Sequence, residues 1–162
     1  MKFVTYVENG NDAQRFGFVM DGQVVDVLRA SIFMNEQNHE SEFLEIPSAL
    51  HACLEEWEPN LVKLQRLQDQ LANEHIADLI ANNQHVAQPE ADVQLLPPIT
   101  NPSTFRDFYA FEQHVRAARK LRGLDMHPDW FRLPIFYFSN PNALYGHGDD
   151  IPYPQNTEEL DF

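Results

Sequence analysis

The sequence predicts an α+β protein, with a small N-terminal antiparallel β domain carrying helices and then the start of a second, β-rich domain. Three observations lead there. Alternating runs flank a two-residue turn near the N-terminus, a leucine stripe at helical spacing follows, and a proline pair ends an apolar run before position 100. With 162 residues, 43% of them hydrophobic and 12% aromatic, the chain is able to bury a core.

Taken in order, residues 3–7 alternate around Phe3, Thr5 and Val7, and the runs 15–20 and 23–28 flank Asp21-Gly22, a pair suited to a type I′ hairpin. From Pro47-Ser48 the spacing becomes helical, with Ser48 as N-cap and Leu50, Cys53, Leu54 and Trp57 on one side. Pro59 suits the first turn of a second helix. Its stripe of Leu61, Leu64, Leu67 and Leu71 is continued less regularly by Ile76, Leu79 and Ile80. Such a stripe belongs in a core, and it also offers a face to a partner helix. Residues 93–99 read as a strand stopped by Pro97-Pro98, since neither proline can donate to a ladder. The domain boundary falls here and divides the chain into 1–95 and 96–162. Beyond it come a helix through Asp107, a loop at Pro128, a strand over 133–138 and a turn-rich run over 139–148.

Charge excludes one class of partner. Twenty-five acids against 11 Lys and Arg give a net charge of −14, and phosphate contacts need a basic surface, so nucleic acid is not expected. The cations are clustered: six of them, set against four acids, lie between 106 and 132, a window of +2 that leaves −16 elsewhere. That patch can draw in a small anionic substrate. It also has a plain helical reading, in which cations complement the C-terminal dipole and Glu112 pairs with Arg116 one turn on. The single cysteine, Cys53, excludes an intrachain disulfide and a Cys-based metal site, and its neighbours Ala52 and Leu54 mark a buried helical position. No apolar run reaches the roughly 18 residues of a membrane span, and the start lacks a signal-peptide core, so no membrane partner and a cytoplasmic location are expected.

The stretch Phe105-Arg106-Asp107-Phe108-Tyr109-Ala110-Phe111-Glu112-Gln113-His114-Val115 carries the chemistry. On one continuous helix, seven steps of roughly 100° bring Asp107 and His114 to the same face about 10 Å apart, with room between them for a metal, a water and a carbonyl. A surface acid and imidazole that coincide by spacing are the competing reading. His147, between Gly146 and Asp149-Asp150, reads as part of a polar turn. His39, His51, His75 and His85 have no matching partner set and read as solvent-exposed. His127 precedes Pro128 in a loop, near enough to Trp130 to reach the rim of a cleft.

That stretch, followed by Pro128-Asp129-Trp130 and then Leu133-Pro134-Ile135-Phe136-Tyr137-Phe138-Ser139-Asn140-Pro141-Asn142-Ala143, resembles the fumarylacetoacetate hydrolase family over roughly residues 95 to 162. The resemblance implies metal-assisted hydrolysis of a carbon–carbon bond in a β-diketo acid of the acylpyruvate type, as in aromatic amino acid catabolism. It also implies a mixed β-sandwich roll, usually as a homodimer. It makes Asp107 a ligand to Mg²⁺ or Ca²⁺, His114 the general base, and Tyr109 and Tyr137 substrate contacts, with Arg119 or Arg122 on the substrate carboxylate. The chemistry agrees. A histidine with a pKa of about 6.5 takes a proton from water near neutrality, a hard cation polarises the diketone, and an arginine grips a carboxylate through two bonds. Without the family, the two tyrosines read equally as core aromatics.

One departure matters. Family members continue past the Leu-Asp-aromatic sequence, here Leu160-Asp161-Phe162, into a Glu-x-Glu pair that adds metal oxygens. The chain is therefore expected to be an N-terminal, truncated part of such an enzyme and inactive alone. The alternatives are a non-catalytic binding module and a family isomerase or decarboxylase.

Overall fold

Asp21 and Gly22 both take positive φ, 51° and 75°, as the two central residues of a type I′ turn must, and they join β2 (Arg15–Met20) to β3 (Gln23–Asp26) in the expected hairpin. The computed structural model describes residues 1–39, 41–73 and 85–158. The expected continuation of the leucine stripe through Ile76, Leu79 and Ile80 lies outside them, as do His75 and Leu160-Asp161-Phe162. The protein is α+β and divides into two compact units, Met1–Thr100 with Tyr145–Phe162, and Asn101–Leu144. Residues 145–158, read from the sequence with the second domain, thus group with the first.

In the first unit, β1 (Lys2–Glu8), β2, β3, β4 (Ala87–Pro89) and β5 (Val93–Leu96) form one antiparallel sheet in the order β4-β3-β2-β1-β5. Both of its faces are covered. Phe16, Phe18 and Met20, two apart on β2, turn to a core that they share with Phe33, Met34, Phe43, Leu64, Leu67 and Leu71. On the opposite face Val4, Tyr6, Val24 and Leu95 pack together. Tyr6 is fully buried and Val4 nearly so, although the alternation placed Phe3, Thr5 and Val7 in the leading role.

The second face holds a network of charges. Asp26 accepts from the Tyr6 hydroxyl at 2.8 Å and from Arg15 at 3.0 Å, while Arg29 pairs with Glu8. Burial, joined by the neighbouring Asp26 carboxylate, pushes the Tyr6 hydroxyl well above its ordinary range.

Asp26 also ends the strand two residues before the expected limit at 28. Its carboxylate takes the backbone N–H of Arg29 at 2.8 Å and so caps α1 (Val27–Asn38). Helix α2 (Leu50–Cys53) begins at Ala49 with no side-chain cap, so the expected N-cap at Ser48 is not found. Helix α3 (Trp57–Asn73) carries Pro59 in its first turn as anticipated. Leu64, Leu67 and Leu71 are completely buried within the unit, so this part of the stripe is core and does not face a partner. Cys53 is likewise buried on α2, where desolvation pushes its thiol up to about 11. No described helix is long and apolar enough to cross a membrane.

Candidate functional site

The second unit holds every candidate site residue. Its strands β6 (Phe105–Phe108) and β7 (Phe136–Ser139) form a two-stranded antiparallel ribbon, and α4 (Glu112–Leu121) lies between them in the chain. The continuous helix through Asp107 and His114 is overturned. Asp107 sits on β6, the chain breaks at Tyr109-Ala110-Phe111, and only from Glu112 is it helical. The reason is pairing at long range. Phe105 and Phe108, at the two ends of β6, are aromatics that suit a pleated strand, and its ladder partner lies about thirty residues on, beyond the reach of local periodicity. Asp107 and His114 are therefore not stacked on one helical face. The strand expected over 133–138 forms over Phe136–Ser139.

The ribbon makes its own groupings. Asp107 is paired in register with Tyr137, so two residues expected at the site share one face of the ribbon as direct cross-strand neighbours. The opposite face carries Phe108, Phe136 and Phe138, with the Arg106 guanidinium 5.3 Å and 5.0 Å from the centroids of the last two rings. Tyr109 continues the pairing by donating its N–H to Ile135 O at 3.0 Å, and its carbonyl accepts from Trp130 Nε1 at 2.8 Å. Thus tethered, Tyr109 meets His114 edge to face, with ring centroids 6.0 Å apart and planes at 88°. His114, Asp107 and Tyr137 are all exposed.

A slot of about 190 Å³ opens beside Tyr109. Val115, Trp130 and Ile135 give it apolar walls, and Arg119, His127 and Asp129 complete its lining. Arg119 is held by a bond from Nε to the carbonyl of Asp125 at 2.5 Å, whereas Arg122 turns back to Ala118 O and does not line the slot. Of the two candidate arginines, Arg119 is the one beside Tyr109. Asp107, His114 and Tyr137 do not line the slot either. Val115, Trp130 and Ile135 were not anticipated as site residues. The one sequence signal pointing toward them was the Pro128-Asp129-Trp130 block, which folds as a 3-10 turn started by Pro128. The Glu112–Arg116 ion pair forms as expected.

A hard divalent cation seeks about six or more oxygens. Among the described residues no group of three or more His, Cys, Asp or Glu side chains could hold a metal, and at this place Asp107 is a lone carboxylate. The described residues therefore do not by themselves fit the implied Mg²⁺ or Ca²⁺. At His147 the structure is a turn, in which Asp149 accepts the Gly146 N–H at 2.6 Å.

No curated protein matches the chain. Residues 103–162 match the family model for the fumarylacetoacetate (FAA) hydrolase C-terminal region. Over those residues, which take in Asp107, Tyr109, His114, Arg119, Arg122 and Tyr137 alike, the chain is similar to the fumarylacetoacetate hydrolase family.

Proposed function

We propose that the chain is part of an enzyme that hydrolyses a carbon–carbon bond in a β-diketo acid of the acylpyruvate type. The observation that carries this reading is the family match over 103–162, which includes every residue the chemistry needs from this chain. In it, His114 takes a proton from water, and the oxygen adds to the carbonyl carbon next to the bond that breaks. That bond then cleaves with its electron pair on the leaving carbon, which is protonated to complete the hydrolysis. Arg119 pairs with the substrate carboxylate through its terminal nitrogens, since its Nε is committed to Asp125 O. Tyr109 and Tyr137 contact the substrate. The Asp107–Tyr137 register and the Tyr109–His114 ring contact support a shared site by bringing these residues together in pairs.

The same reading includes a mixed β-sandwich roll, a homodimer and a cytoplasmic setting. Asp107 would be one ligand of the Mg²⁺ or Ca²⁺ that this reading implies, and such a cation would supply polarisation of the diketone. Residues 1–162 alone are then expected to show no turnover, and a polypeptide bearing the family's Glu-x-Glu pair is expected to bring metal-dependent acylpyruvate hydrolysis. In that reconstituted enzyme, His114→Ala should lower kcat/KM by about 10²- to 10⁴-fold. Hydrolysis undiminished in the variant would show that His114 is not the base. Product analysis separates a hydrolase from a family isomerase or decarboxylase.

A binding module is the second reading, favoured by the exposure of the large side chains of Phe111 (81%), Leu121 (90%) and Tyr137 (72%), which are open to contact with a partner. It expects a defined complex on size-exclusion chromatography and no hydrolysis under any reconstitution.

A further inference from the structure

Gly146 lies against the backbone of β5, the strand at one edge of the five-stranded sheet. A Cβ at this position would stand 2.3 Å from the carbonyl oxygen of Leu95 and 3.0 Å from Cα of Leu96, and the first of these is closer than a real Cβ comes. Its φ lies outside the left-handed region, so the need for glycine is one of space and not of backbone conformation. Asp149 secures the approach. It accepts the Gly146 N–H through Oδ2 at 2.6 Å and returns its own N–H to Gly146 O at 3.3 Å, while its Oδ1 accepts from Gln94 Nε2 on β5 at 3.4 Å. Gly146 and Asp149 are half-buried, whereas Tyr145, His147, Gly148 and Asp150 around them are exposed.

The same strand is where the chain departs. Just past Leu96, the Pro98 carbonyl accepts the Thr5 hydroxyl at 2.7 Å, and Thr100 donates its hydroxyl to Gln14 Oε1 at 2.8 Å. Between these anchors and Gly146 runs the whole of 101–144, the unit built on a two-stranded ribbon, which is marginal in isolation. A segment fixed at both ends has less conformational entropy to lose on folding than one with a free end. Fastening its return therefore stabilises the folded unit without adding a contact inside it.

We propose that the turn 146–149 is a clasp: by seating Gly146 on β5 it fastens the C-terminal end of the excursion 101–144 to the strand from which the chain left, and so keeps that unit folded. None of the candidate site residues is part of the clasp, which operates whatever reaction the chain takes part in.

Hydrogen exchange of residues 1–162, read by NMR, tests the clasp. Gly146→Ala places a Cβ against Leu95 O, and Asp149→Ala removes the side-chain bonds to Gly146 and Gln94 without adding bulk. In each variant the N–H of residue 146 should exchange at least about tenfold faster. The Tyr109 N–H, whose bond to Ile135 O neither substitution touches, should exchange at least about threefold faster. His147→Ala, at an exposed neighbour in the same turn, should leave both rates as they are. Cys53, buried in the first unit, should stay unreactive toward a disulfide reagent throughout. An N–H at 146 that keeps its rate in both variants would overturn the proposal. So would a Tyr109 N–H that stays as slow once the turn has been freed, or a Cys53 that becomes reactive in both variants, since the turn would then be part of the core and not a clasp on it.

Discussion

In the unit of residues 1–100 and 145–158, Tyr6, Phe18, Phe43, Met34, Leu64, Leu67 and Leu71 are shut away from water. In the unit 101–144, Val115 is the one large side chain so enclosed, while Phe111, Leu121, Tyr137 and Phe138 stand mostly exposed. The two units also differ in charge, with +2 on the second and −16 on the rest. The first derives its stability from area removed from water, at about 1.5–3 kcal/mol for each large side chain. The second depends on a two-stranded ribbon, a ten-residue helix and ring contacts, and a ribbon of two strands is marginal in isolation. All six site candidates are on the second. Groups that are to meet a substrate have to be reachable, and the six candidates stand where burial is least while the buried core stands elsewhere in the chain.

The largest break in that comparison is expected from Leu67→Ala. It opens a cavity in the leucine layer and should cost about 2–5 kcal/mol in urea unfolding. Cys53 gives an independent readout, because its buried, poorly ionised thiol should react with a disulfide reagent only on unfolding and much faster in the variant. A Leu67→Ala protein with unchanged midpoint and thiol reactivity would remove the distinction between the units.

A smaller effect is expected at Glu8. Its hydrogen bond from Arg29, with help from Gln88 and Arg15, holds the carboxyl below its ordinary value of 4.5. The folded protein then binds fewer protons than the unfolded chain just below that value. The contribution is fully present above pH 4.5 and is lost as pH falls from there through the folded value. Glu8→Gln should cost about 1.5–3 kcal/mol near neutrality and flatten the acid limb of the stability profile. An acid limb as steep as the parent's would mean that the network contributes nothing to it.

The smallest effect belongs to the second unit. Phe138→Ala removes one ring from the Arg106 stack and its contact with Phe136, for about 0.5–1.5 kcal/mol of local stability. Hydrogen exchange at Tyr109 N–H, which closes the end of the ribbon, should speed up accordingly. A loss matching that of Leu67→Ala would mean that the ribbon carries a core of its own.

What could be read from the residues follows a physical division. The Asp21-Gly22 turn, the Pro59 start, the Leu64–Leu71 layer and the strand before Pro97 each depend on chemistry within a few positions, and each is found. Helix α1 was not anticipated. Val27, Ala30, Phe33 and Met34 are buried while Leu28 and Ile32 are exposed, so apolar residues circle the helix and leave no stripe to recognise. At the candidate site, the residue types and their order were legible through the family resemblance, but the arrangement was not. Asp107 looked helical because its spacing to His114 fits a helix, and spacing carries no information about a strand partner at Tyr137.

The sequence by itself determined the α+β class, the hairpin turn, the buried cysteine and the family resemblance, since these rest on local backbone preferences and on a run of residues in order. The tertiary structure alone decided that Asp107 faces Tyr137 rather than His114, and that Arg119 rather than Arg122 joins Tyr109 and Trp130 in one slot. Those outcomes depend on ladder pairing and side-chain contacts between residues far apart in the chain, where position along the sequence no longer measures distance.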